Sequence, residues 1–164
     1  LENEGFQLEQ IYATARMDSA KAPGVTALAE GYSLQSRASN SSPDHPFALM
    51  TPEVEHRLKE CSLCRSDLDL TVLDERGFGA ANALFWFDPS TRVGLVEPMG
   101  TAEAHRGKGL ASHLLTAGIQ ALRAAGSERI TVSWELDNDP AAALYARAGF
   151  QPTTTSSLWT PPTG

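Results

Sequence analysis

Residues 93–125 read VGLVEPMGTAEAHRGKGLASHLLTAGIQALRAA. An apolar run with strand character (Val93, Leu95, Val96) leads through Met99-Gly100-Thr101 into a basic, glycine-rich turn, His105-Arg106-Gly107-Lys108-Gly109. Leu110, Leu114, Leu115, Ile119 and Leu122 then recur at helical spacing. The first N–H groups of a helix lack intrahelical partners and sit at the positive end of its dipole, and glycines let that backbone approach an anion closely. Arg106 and Lys108 add charge that can reach a phosphate. The stretch therefore reads as a strand, a phosphate cradle and a helix.

Two common phosphate motifs fail here on spacing. A P-loop would need glycine at Ala102 and serine or threonine at Gly109. A dinucleotide fingerprint would need its third glycine at Ser112 and an acidic residue about 20 positions further on. What remains is Arg106-x-x-Gly109-x-Ala111 after a strand, a short pattern that ordinary strand–helix turns also produce. A second pattern, N-x-x-A-x-x-L-Y-x-x-x-G-F, is carried by Asn138, Ala141, Leu144, Tyr145, Gly149 and Phe150. In this order, with one strand between them, the two motifs resemble the GNAT (general N-acetyltransferase) superfamily. The resemblance covers about residues 31–160, and its specific motifs lie within 93–150.

The resemblance implies acetyl-CoA as co-substrate and no metal. Met99, Gly100 and Thr101 would pair their backbone with the pantetheine arm, whose amides suit strand-like pairing. Arg106, Gly107, Lys108, Gly109, Leu110 and Ala111 would hold the pyrophosphate. Asn138 would bond the pantetheine or the start of the following helix. Tyr145 would protonate the leaving thiolate as general acid; the other reading is an amphipathic core tyrosine. Glu97 is a candidate general base, or else a structural carboxylate. Counted by twos, it shares a strand face with Met99 and Thr101, and burial would raise its pKa to suit base work. Glu135 on the next strand is the reserve. One departure is Glu103, where the family often has proline.

The chain has 164 residues, enough for one domain with a core, and 41% hydrophobic with 20% charged residues describes a soluble globular protein. No apolar run reaches the roughly 18 residues of a membrane helix, and no signal peptide is visible. Leu1 rather than Met at the start is expected of a piece of something longer. A net charge of −7 argues against general nucleic-acid binding and slightly favours a cationic amine substrate. Cys61 and Cys64 follow a helix pattern and precede a strand, and a zinc site would need four ligands; they read as reduced cysteines, with a cytoplasmic location.

Gly5-Phe6-Gln7 repeats at Gly149-Phe150-Gln151. Residues 1–17 are therefore either the closing strand of a preceding GNAT-like domain or a coincidental terminal segment. Residues 18–30 look like a linker, with Pro23-Gly24 as a turn, and 31–164 would form the GNAT-like acyl-CoA-binding domain. Within it, strands are expected at 31–37, 68–73, 78–87, from Arg92, at 129–135 and at 151–159. A helix is expected near 52–61 behind Thr51-Pro52, and another from Asp139 as N-cap to Gly149. The crossover through the 110–125 helix makes the strands on either side parallel. After Trp159 only a proline-rich tail remains, so the family's final strand is missing, very short or supplied by another segment, with residues 5–17 available.

The expected architecture is α/β of the α+β type, a mixed and largely antiparallel central sheet flanked by helices. The expected activity is acetyl transfer from acetyl-CoA to a primary amine by direct attack in a ternary complex. Small-molecule or peptide amines would be the substrates, selected by residues 38–66 and 88–92, with no nucleic acid and no membrane partner. A homodimer or contact with a preceding GNAT-like domain is the expected assembly. The alternatives are a non-catalytic acyl-CoA-binding half of a tandem protein and a general anion-binding domain.

Overall fold

The structure, a computed structural model, describes residues 5–40, 56–58 and 60–162. Its strands are β1 (Gln7–Asp18), β2 (Ser33–Ser36), β3 (Asp69–Leu73), β4 (Gly79–Asp88), β5 (Val93–Thr101), β6 (Arg129–Glu135) and β7 (Gln151–Thr160). Its two long helices are α1 (Leu110–Ala124) and α2 (Asp139–Ala148). One sheet runs in the order β2-β3-β4-β5-β6-β1-β7. The neighbours pair antiparallel except β5 and β6, which are parallel across the α1 crossover. This is the mixed, largely antiparallel sheet the sequence pointed to. Among the described residues no helix is long and apolar enough to cross a membrane.

The position beyond β6 is filled by β1. Tyr12–Asp18 pair with Glu135–Arg129 on one side, and Gln7–Arg16 pair with Thr160–Gln151 on the other. Alternate residues Ala13, Ala15 and Met17 are buried, as the two-residue period of a strand requires. Residues 7–18 thus lie between β6 and β7 and pair with both. The segment read as a linker is tied to α1. Gln120 Nε2 donates to Pro23 O at 2.6 Å, the Thr26 N–H donates to Thr116 Oγ1 at 3.0 Å, and Leu28 and Ala29 pack on the core.

The apolar stripe of α1 became core: Leu114, Leu115, Ile119 and Leu122 are fully buried. The helix seats on β4 through Gly118, where an added Cβ would stand 1.9 Å from Phe85 Cζ. Gly126, at φ 103°, ends the helix as expected, with its N–H on Arg123 O. In α2 the N-cap is Asn138, not Asp139. The Asn138 Oδ1 accepts from the Ala141 N–H at 3.1 Å, because Asp139 and Pro140 already lie inside the first turn. Of the helix expected near 52–61, residues 56–58 and 60 are helical; the Thr51-Pro52 cap and most of the 38–66 loop lie outside the described residues.

Candidate functional site

The site grows from an irregularity in β5. Opposite β4, Phe85 pairs with Val96 but Ala83 pairs with Met99, so β5 carries an extra residue at Glu97-Pro98. The bulge shifts the side-chain phase. Val96 opposite Phe85 and Met99 opposite Ala83 share one face, so the expected alignment of Glu97 with Met99 and Thr101 by counting in twos does not hold. Glu97 is also exposed, not buried as its base role was argued. Its carbonyl accepts the Trp86 indole N–H at 2.6 Å, a residue the sequence had not singled out.

The β5–β6 ladder runs from Val93↔Arg129 to Val96↔Val132 and stops where the bulge begins. Beyond it β5 pairs only with β4, through Met99, Gly100 and Thr101, while Ser133, Trp134 and Glu135 turn to β1. Two parallel strands therefore splay apart, and the β5 backbone of 99–101 faces the gap without a ladder partner on that side. An extended, amide-bearing arm has the geometry to enter there as an added strand.

The wide end of the gap meets the glycine turn. Gly107 and Gly109 lie at φ 77° and 76°, a conformation only glycine adopts without strain. An added Cβ at either would meet nothing within 4 Å, so conformation demands these glycines and the space above them is open. Gly109 caps α1 without a side-chain hydrogen bond, and no acidic residue occupies the first turn of the helix. The first N–H groups of α1, at Leu110 and Ala111, thus meet neither a capping side chain nor an acidic residue of their own turn, an arrangement that suits an anion. Arg106 and Lys108 are exposed beside it, with Arg106 Nε donating to Thr101 O at 3.4 Å. Among the described residues no cluster of His, Cys, Asp and Glu could hold a metal ion. Cys61 and Cys64 are free, and burial raises the Cys64 thiol.

Tyr145 of α2 packs on Trp134, in the part of β6 beyond its pairing with β5. It is 7% exposed, with its ring 5.4 Å from Trp134 and 5.9 Å from Phe150, centroid to centroid. Burial first, and the Glu97 carboxylate second, hold its phenol above the usual tyrosine value. Two residues far apart in sequence are thus brought within electrostatic reach. Asn138 is placed at the start of α2 as its cap, and Glu135 is exposed at the end of β6. Tyr32 and His105, which meet beside the turn at 2.9 Å, were not legible, because no local pattern links residues 73 positions apart.

Comparison with known proteins agrees with this geometry. The profile described as "Acetyltransferase (GNAT) family" matches residues 35–150. Mycothiol acetyltransferase of Pseudarthrobacter chlorophenolicus is 30% identical over 154 residues, covering 82% of this chain and 47% of that protein. The enzyme of the same name from Clavibacter michiganensis is 28% identical over 159 residues, covering 90% of this chain and 50% of the relative. The chain spans half or less of the length of the curated relatives it matches. In structure it resembles a GCN5-related N-acetyltransferase from Sphaerobacter thermophilus, with TM-score 0.78, 18% identity and coverage of 96% of this chain and 53% of that one. It also resembles a tandem GNAT protein from the clavulanic acid biosynthesis pathway, with TM-score 0.69, 17% identity and coverage of 96% and 55%. With a family profile matched across most of its length and the splayed strands, glycine turn and capped α2 in place, the chain belongs to the GNAT acetyltransferase family.

Proposed function

We propose that the protein transfers an acetyl group from acetyl-CoA to a primary amine by direct attack in a ternary complex. The observation that carries this reading is the parting of β5 and β6 after Val96, next to Glu97, with Tyr145 packed on Trp134 of the diverging β6. Acetyl-CoA, when bound, supplies the thioester. The backbone of Met99, Gly100 and Thr101 would hold its arm, and Arg106 through Ala111 its pyrophosphate. Asn138 acts through the start of α2. Tyr145, kept protonated at neutral pH, is suited to give its proton to the departing sulfur. Glu97 is at the site as a carboxylate that can bind or relay a proton from an ammonium substrate.

The names of the relatives put the mycothiol acetylation reaction first in an amine panel, followed by small amines and peptides. The test is release of free thiol from acetyl-CoA across that panel, beside calorimetric titration with CoA. Amine-dependent thiol release supports the reading. A protein that binds CoA but acetylates no amine supports instead a non-catalytic half of a tandem protein. Equal affinity for CoA and ADP would leave only a general anion site.

A further inference from the structure

The anion-binding turn is tied to a distant strand by one phenol. Tyr32, just before β2, has its hydroxyl 2.9 Å from His105 Nδ1 and 2.8 Å from Lys108 Nζ. The Lys108 ammonium also lies 5.4 Å from the centroid of the Tyr32 ring, and the His105 ring meets that ring edge-on at 5.7 Å. The direction of the lysine contact follows from the donor inventory. An ammonium has no lone pair, so Lys108 donates to the phenol oxygen. The same phenol oxygen shares a hydrogen bond with His105 Nδ1. One side chain thereby holds both residues that flank Arg106 and Gly107.

Tyr32 is half-buried and packs against the core. Gly31 turns the chain at φ 80°, and an added Cβ there would stand 2.5 Å from Glu75 Oε1, so the approach to β2 is packed against the β3–β4 turn. Lys108, by contrast, is exposed on a turn whose neighbours are glycines. A free lysine of this kind spreads its charge over many rotamers, and fixing it before a ligand arrives removes part of the ordering cost of binding.

We propose that Tyr32 is a positioning residue for the anion-binding turn: its phenol fixes the Lys108 ammonium and so strengthens the hold on a phosphate-bearing cofactor. This rests on the cofactor reading above, with Lys108 serving the pyrophosphate. Calorimetry with CoA, and with pantetheine, which has the arm but no phosphates, separates the two ideas. Tyr32→Phe keeps the ring against both neighbours and removes only the hydroxyl. It should weaken CoA binding roughly three- to tenfold, the net worth of one ordinary hydrogen bond, and leave pantetheine binding as it was. In a Lys108→Met background the same change should cost nothing further, because the two side chains act as one unit. CoA binding by Tyr32→Phe as tight as or tighter than wild type overturns the proposal. So does an equal loss for pantetheine, or a full loss in the Lys108→Met background. A wild type that binds CoA no better than pantetheine overturns the cofactor reading, and this proposal with it.

Discussion

Tyr145 is packed between Trp134 and Phe150, where both burial and the Glu97 carboxylate disfavour its anion. A phenol in that setting is fully protonated at neutral pH. As general acid it should contribute about 10²- to 10⁴-fold, so Tyr145→Phe should lower kcat by that factor and change the KM for acetyl-CoA little. The titration has a definite sign. The folded-state pKa is raised, so the stability linked to this group is full below the unfolded value of about 10 and is lost as the pH rises through the higher folded value. Glu97→Gln removes the second of the two causes and should lower the phenolate titration seen by ultraviolet absorbance, with Tyr145→Phe identifying the signal. A curve unmoved by Glu97→Gln would show that the two side chains do not share a site.

At the scale of elements, α1 and β4 meet through a missing side chain. Gly118→Ala should improve the intrinsic helix propensity of α1 by about 1 kcal/mol. It should nonetheless destabilise the protein by about 1–3 kcal/mol, because the methyl would overlap the Phe85 ring. Urea unfolding of Gly118→Ala reads the loss, and Phe85→Leu added to it should recover part. The helix itself was legible from its leucines, and its ends from Gly109 and Gly126. That it presses a glycine onto an aromatic ring was not, since no spacing within α1 points to Phe85. The β5 bulge escaped for a related reason. An extra residue is defined only against the partner strand, so counting along β5 alone put Glu97 on the face of Met99.

At the scale of the molecule, β1 joins the chain's start to its end. It lies between β6 and β7, and among the described residues β7 has no other strand neighbour. A chain beginning at residue 22 would uncover Ile130 and Val132 and leave β7 unpaired. It should therefore lose the cooperative thermal transition of the full chain, as read by circular dichroism. A truncated form melting like the full chain would show that residues 7–18 are dispensable to this sheet. The GFQ repeat had drawn attention to the segment, but a strand's partner cannot be read from its own residues, because pairing is settled by which edge the rest of the sheet leaves open.

The sequence by itself determined the strand–turn–helix at Arg106–Ala111, the parallel crossover, the capped α2 and the family. These depend on local chemistry: glycine at positive φ, helical spacing of leucines, and a side-chain oxygen ahead of a helix. Only the tertiary structure decided that β5 and β6 part at Val96, that β1 lies between β6 and β7, that Tyr145 packs on Trp134, and that Tyr32 bonds to the turn through Lys108 and His105. Each of those is a relation between segments remote in sequence, fixed by strand register and packing rather than by any residue's own preference.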